Sequence, residues 1–581
     1  MSATIRARSM WIAANLPAQD EAVSTLPLID LSSLDINPAT EAAWAALAHD
    51  ADTQMSDGKN PGVFNTPTGL ARVIKNEQTS QPSIEGLNGP KLQNEVRQVS
   101  NWLPRSGNPP YILPSKDIVA MMLGTPEASV PWLFGIDDVP RFGADGSLSL
   151  RPGYNPLTRR VYYPRLSIPD VNLKPSKNEA LAARDLLLWL ALEGFPFIDD
   201  ESLEQLAEIA ERVAGGELAP WDGRALCGKC SRANMLAMIL EPFVRAMITG
   251  CTPLYAVRKN LRKVGSGYLL HLAAMTAFGR VPDLSAKPNS EDEMRKLITA
   301  KVAAMALMFF LDNFEGSLES VALSAALTGD SWTDRELGHS RMITGATNFL
   351  YAVTGNNYQL GADFISRAVL IRMHSDDPDP QQRTDFRIKQ DFKTWVAAEQ
   401  CQLIHAALTI IQYWISLGAA RDSSQVFGAF ENYAAVMGGI LASVDVEGFL
   451  GNRHVLQQAS INSEGDAMVQ LYRAWVEHYG AAPVLVGTPQ KDYPELDTRL
   501  FPDLDGILGL IAKYQLDFGA EIDVGKYSLA SVRAALGKRA LTWEGWPICI
   551  DGKQVVKLVI DRDKHVKRNK YRLVISEKKS M

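Results

Sequence analysis

The sequence predicts an α/β protein built around a parallel sheet, and three observations carry that expectation. Between about residues 217 and 395, short strand-like runs alternate with helical stretches, the pattern of a sheet assembled from strand–helix units. Within this segment Met305-Ala-Leu-Met-Phe-Phe-Leu311 runs straight into Asp312. An apolar run too short for a membrane span fits a strand buried on both faces, with Asp312 expected at its carboxyl end. Upstream, Tyr255-Ala-Val257 leads through Arg258-Lys-Asn-Leu-Arg-Lys-Val-Gly-Ser-Gly-Tyr268 into an apolar helix, Leu269 to Phe278. Strand, basic glycine-bearing loop and helix follow one another.

Length and composition set the frame. A chain of 581 residues is too long for one core and suggests three to five domains. Hydrophobic content of 46% and charged content of 22% are those of a globular protein. The net charge of −7 excludes a globally basic nucleic-acid binder, so any such surface must be local. Five cysteines, odd and sparse, argue against a disulfide framework and for a reducing cytoplasm. No stretch reaches membrane-spanning length, and no signal-peptide apolar region follows Arg6 and Arg8.

Taken in order, residues 1–110 are mixed and carry no evident chemistry, although Ala42 to Ala51 reads as a helix. Residues 111–216 read as an α+β module: a helix at Lys116 to Leu123, an extended piece at Trp132 to Gly135, a strand at Arg160 to Tyr163, and helices at Asn178 to Leu192 and Glu201 to Val213. A long helix, Ser231 to Ile248, opens the 217–395 core and is apolar on most faces, hence buried. Residues 396–482 form a helical extension, including Cys401 to Leu417 and Phe430 to Leu441. Residues 483–581 begin with a proline-bearing linker. Helices at Leu504 to Leu516 and Ser528 to Leu536 precede a two-strand hairpin around Val555 to Ile560 and Lys570 to Ile575, the outline of a winged helix.

The basic loop has the plan of a P-loop, in which backbone N–H groups and a helix N-terminus cradle phosphates. Its chemistry departs from the usual pattern: where Gly-Lys-Ser/Thr is expected, the chain has Gly265-Ser266-Gly267. The lysine for the β- and γ-phosphates and the hydroxyl for Mg²⁺ are both missing. Lys259, Arg262 and Lys263, just before the loop, can supply charge from another direction. Asp312 is the residue type for holding Mg²⁺ beside phosphates. Asn348 to Val353 is a further strand-like run, and it leads into Thr354-Gly-Asn-Asn357, where an amide at a strand tip suits orientation of a water. Arg367 follows in Ile365 to Arg372; an arginine there suits a finger that reaches a neighbouring subunit's nucleotide.

Two local signals complete the reading. Cys227-Gly-Lys-Cys230 has no second pair at suitable spacing and reads as a plain loop rather than a zinc site. From Asp551 to Met581 there are ten basic and four acidic residues, a local charge of +6. Lys557, Arg562, Lys564, Lys567, Arg568 and Lys570 on this hairpin are candidate phosphate contacts for DNA.

In this order the segment resembles the superfamily 3-type AAA+ helicase module of phage and plasmid replication proteins, relatives of poxvirus-type primase-helicases. The stretches that carry the likeness are Ser231 to Arg245, Glu291-Asp-Glu-Met-Arg-Lys296, Phe310 to Gly316, Trp332-Thr-Asp-Arg-Glu-Leu-Gly338 and Thr354 to Asn357. It reaches back through Pro114 to Tyr163 and forward to Gly451-Asn452, about two-thirds of the chain. The resemblance implies a P-loop-type AAA+ core that binds ATP and Mg²⁺ at subunit interfaces of a homo-oligomeric ring, usually a hexamer, on single-stranded or forked DNA. It implies Asp312 as Mg²⁺ holder, Asn356 or Asn357 as sensor and Arg367 as finger, with Trp332 to Leu337 near a DNA-facing hairpin. Priming would fall to a separate primase or polymerase. Since the loop lysine is absent, the alternative is a hydrolysis-deficient DNA-bound scaffold or helicase loader of the same fold.

Overall fold

The structure, a computed structural model, describes residues 26–32, 35–75, 81–106, 111–125, 129–336, 342–356, 358–375, 379–460 and, beyond these, 466–484, 486, 506–514, 516, 518, 522, 529–544, 547–550, 554–562 and 569–577. The chain divides into two compact units, Met1–Arg453 and His454–Met581.

In the first unit, the helix predicted at Ala42 to Ala51 extends over Ile36–Ser56 and packs near a three-stranded antiparallel sheet, Phe64–Thr66, Gly69–Lys75 and Pro82–Gly86. Over 111–216 a helix at Lys116–Gly124 and a strand at Arg160–Tyr162 are present, but Ile118 and Met122 share a core with Ala39 and Trp44, while Val139 and Leu187 join the core of the sheet. The helix expected from Asn178 to Leu192 is α-helical over Lys177–Asp185 and widens to a π-turn over Leu186–Ala191.

The centre of the unit is the parallel sheet. Helix α1 (Lys229–Val244) leads to β1 (Leu254–Lys259) and α2 (Ser266–Phe278). Then come β2 (Leu284–Ser285), α3 (Glu291–Ala303), β3 (Met308–Phe314), a hairpin of β4 (Trp332–Arg335) and β5 (Met342–Gly345), β6 (Leu350–Asn356) and β7 (Ala368–Met373). Every pairing in the five-stranded sheet is parallel, in the order β2-β3-β6-β1-β7. The chain leaves β1 for the far edge, returns through β3 and β6 to lie beside β1, and crosses to β7 on its other side. Open sheets of this kind bind ligands beyond the strands' carboxyl ends where the order reverses, here around β1.

Burial explains the apolar runs. Leu254 to Val257, Met308 to Leu311, Leu350 to Val353 and Ala368 to Ile371 are all buried, so these strands are covered on both faces. Helix α1 is buried from Ser231 to Val244 and ends there, short of the expected Ile248, in a 3₁₀ turn at Arg245–Met247. Its first turn is held by Asp199, whose carboxylate accepts the N–H groups of Cys230 at 2.5 Å and Ser231 at 3.1 Å. Helix α3 starts on the Ser290 hydroxyl, which accepts the Glu293 N–H, and carries Glu291, Asp292 and Glu293 in its first turn.

The expected helical extension does not stand apart. Helices α4 (Gln400–Ser416) and α5 (Glu431–Ser443) share one core with α1 and the sheet, through residues such as Leu403, Ile411, Trp414, Tyr433 and Leu441. The second unit takes the rest: α6 (Asp466–Tyr479), α7 (Gly506–Lys513) and α8 (Leu529–Trp543) with an antiparallel sheet of β8 (Pro547–Ile550), β9 (Gln554–Arg562) and β10 (Asn569–Glu577). Leu471, Tyr472 and Trp475 of α6 join Leu508, Leu536, Leu558 and Leu573 in its core, so this unit starts before residue 483. The expected two-strand hairpin is present and gains a third strand, β8. Among the described residues no helix is long and apolar enough to cross a membrane.

Candidate functional site

The carboxyl ends of three neighbouring strands, β3, β6 and β1, bring most of the expected residues together. Lys259 closes β1, level with Asn356 of β6 on one side and Met373 of β7 on the other. The loop 260–265 then turns into α2. Asn260, where a P-loop pattern has its first glycine, is pinned instead: its amide donates to the Ser375 carbonyl at 2.8 Å and its carbonyl accepts the Ser375 N–H at 3.0 Å. Gly265 caps α2 at a φ of +112°, a conformation that glycine alone adopts without strain, with the Phe195 ring against it. The N–H groups of the first turn of α2 therefore face the end of the sheet, as an anion cradle requires.

Lys259 is 6% exposed. Its ammonium donates to the Ser266 hydroxyl at 2.8 Å, at the first residue of α2. Burial presses its pKa below the ordinary lysine value, while the Asp312 charge pulls the other way and Arg262 adds to the lowering. Among the described residues no carboxylate lies within ion-pair distance of it. Arg262 and Lys263 are both exposed, and Arg262 pairs with Glu315 at 3.0 Å in a surface ion pair of little energetic weight. Gly267 is exposed on the first turn of α2, with open space where a Cβ would stand.

Asp312 lies two residues before the end of β3 rather than at its terminus, because the strand continues through an irregularity between Leu311 and Phe314. Its carboxylate accepts the Thr354 hydroxyl of β6 and the Asn313 N–H, the latter at 2.9 Å. Thr354 is fully buried. The strand tips can close this far because residue 355 is glycine: a Cβ there would stand 2.1 Å from the Phe314 carbonyl. Asn356, two residues beyond Thr354, has a buried carbonyl oxygen without a hydrogen-bond partner. Asn357 lies outside the described residues.

Arg367 is not part of this cluster. It precedes β7, and its carbonyl accepts the Leu254 N–H at the start of β1, about 17 Å of strand away from Lys259. Its guanidinium donates to the Asp363 carbonyl at 2.8 Å. The hairpin β4–β5 is tied to α3 by Arg295–Asp334 at 2.8 Å and by the Trp332 indole donating to Thr299 at 2.9 Å. A cavity of about 360 Å³ lies at the other end of the sheet, lined by Arg141, Glu241, Arg245, Phe278, Phe349 and Leu350 among others.

Cys227 and Cys230 flank the start of α1, where burial and the neighbouring Asp199 push the Cys230 thiol up to about 12 and so disfavour the thiolate. In the second unit, Lys557 and Lys570 are exposed on one face of the sheet with Arg572, which pairs with Asp561 at 3.0 Å. Arg562 ends β9, and Lys564, Lys567 and Arg568 lie outside the described residues.

Sequence reasoning missed Thr354 and Asn260. Thr354 had a signal, a hydroxyl directly after the apolar run that ends at Val353; Asn260 had none, since its partner Ser375 is 115 residues away.

No family model matches the chain, and no curated protein matches it. Solved structures do. The C-terminal region of NrS-1 aligns at 10% identity over 74% of this chain and 80% of that one, with a TM-score of 0.26. A structure described as SCCmec type IV Cch, an active helicase, aligns at 9% identity over 88% and 97%, with a TM-score of 0.27. The JCV helicase aligns at 11% identity over 48% and 73%, with a TM-score of 0.20. At these scores the matches carry no argument.

Proposed function

We propose that the chain is a nucleotide-dependent, helicase-like motor of the superfamily 3 AAA+ type, acting on the DNA of a mobile element. The observation that supports this most is the meeting of a buried ammonium, a helix N-terminus and an aspartate at the carboxyl ends of β1, β6 and β3. Those groups fit Mg-ATP: an unpaired buried cation and free N–H groups suit phosphates, and a carboxylate fixed by Thr354 suits Mg²⁺. ATP bound there would supply the phosphoryl transfer that drives movement. In this reading Asp312 holds the metal and Asn356 or Asn357 orients water. Arg367, too far along the sheet to reach its own chain's site, serves a neighbour's site in a homo-oligomeric ring, a hexamer. DNA, single-stranded or forked, is met by the β4–β5 hairpin and the basic β9–β10 face of a winged helix.

Ser266 in the lysine position favours a second reading, a scaffold or helicase loader that binds nucleotide and DNA without turnover. ATP hydrolysis by the purified chain, with and without single-stranded DNA, separates the two. DNA-stimulated turnover supports the motor; nucleotide and DNA binding without turnover supports the scaffold; absence of nucleotide binding contradicts both.

A further inference from the structure

We infer that Lys259 is this protein's phosphate-binding lysine, delivered from the end of β1 to the place that the P-loop pattern fills from the helix. The inference rests on the nucleotide reading above and names the residue that makes the site workable. The P-loop pattern puts its lysine at the first helical residue after the last loop glycine. Here that residue is Ser266, and the Lys259 ammonium is hydrogen-bonded to the Ser266 hydroxyl at 2.8 Å. The charge missing from the helix therefore reaches the same helical turn from the opposite side of the loop.

Energetics argue that this placement serves a ligand. A buried ammonium whose partner is a neutral hydroxyl is costly, and burial already weakens its hold on the proton. A structural role would pair it with a carboxylate, as the equally buried Lys301 is paired with Asp283. An anion at the start of α2 would be neutralised by Lys259 and by the helix N–H groups together. Asn356, level with Lys259 in the pairing of β6 with β1, carries a second buried polar atom without a hydrogen-bond partner, its side-chain oxygen. Arg262 and Lys263 lack these properties, being exposed, with Arg262 engaged by Glu315. The shift of position has a geometric condition: residue 260, fixed to the Ser375 backbone, holds the end of β1 in place while the loop turns.

The test is binding of a fluorescent ATP analogue with Mg²⁺ to the full chain, read by anisotropy, with thermal melts alongside. Lys259→Met keeps the apolar stem and removes the charge. It is expected to weaken binding about 10- to 100-fold with a melting temperature equal to or above that of the wild type, whereas Arg262→Met and Lys263→Met stay within about twofold. Lys259→Ala combined with Ser266→Lys, which returns the lysine to the helix, is expected to recover most of the lost affinity. Wild-type affinity in Lys259→Met overturns the inference while leaving the nucleotide reading intact. So does a folded double variant that remains as weak as Lys259→Met. A wild-type chain that binds no analogue overturns both.

Discussion

One substitution separates the chemistry of the Asp312 corner from its packing. Thr354 donates to Asp312 from a fully buried position, so Thr354→Val removes one hydrogen bond at nearly constant volume. The expected cost is about 1 kcal/mol of stability, with a fall in turnover of about tenfold if the carboxylate is set for Mg²⁺ by this contact. Steady-state kinetics beside urea unfolding check the two effects separately. Gly265 and Gly267, at the start of α2, form a contrasting pair. Gly265→Ala places a Cβ at a φ of +112° against Phe195 and is expected to cost about 1–2 kcal/mol. Gly267→Ala, inside α2 in open space, is expected to stabilise by about 0.5–1 kcal/mol. Thermal melts that rank the two the other way would contradict the described loop.

At the scale of elements, the parallel register decides which residues can cooperate. Lys259, Asn356 and Asp312 lie at one end of the sheet and Arg367 at the other. Arg367→Ala is therefore expected to leave the nucleotide affinity of an isolated chain within about twofold and to abolish turnover of the assembly. Mixing it with Asp312→Ala should restore some activity, because mixed interfaces then contain one intact site; loss of nucleotide binding by dilute Arg367→Ala would place the arginine in its own chain's site instead. The strands were legible in the sequence because burial on both faces writes them as unbroken apolar runs: Tyr255 to Val257 and Met308 to Leu311 fall within the observed β1 and β3. The place of Asp312 near the end of its strand was legible for a similar local reason. What was not legible depends on distance in the chain. The contact between Lys259 and Ser266 needs the exact turn of the loop, Thr354 finds Asp312 across 42 residues, and β8 joins the C-terminal hairpin as a strand too short to announce itself. The unit boundary shifted for the same kind of reason, since α6 and α4 are both apolar helices and only the structure shows which core each one joins.

Across the whole molecule, charge is distributed unevenly. In an acidic chain the residues from Asp551 on number ten basic against four acidic, and Lys557 and Lys570 share an exposed sheet face of the second unit. Lys557→Glu with Lys570→Glu is expected to weaken binding to single-stranded DNA about tenfold or more and to flatten its salt dependence, measured by anisotropy between low and physiological salt. The first unit holds a buried titrating group, Glu241, between Tyr255, Thr252 and Arg245, with burial raising its pKa to about 7. A carboxyl that binds its proton more tightly when folded favours the folded state at low pH. Its contribution is complete below the ordinary value of 4.5 and is lost as pH rises through about 7. Glu241→Gln is expected to flatten the stability profile of the first unit over that window, as followed by chemical unfolding; an unchanged slope would mean that Glu241 titrates normally.

The proposed function requires that nucleotide be bound and turned over at the carboxyl ends of β1, β6 and β3. The most direct measurement is steady-state ATP hydrolysis with and without single-stranded DNA, for the wild-type chain beside Asp312→Ala. DNA-stimulated turnover that Asp312→Ala lowers by about a hundredfold or more is the predicted result. Turnover unchanged by Asp312→Ala would contradict the assignment of the site.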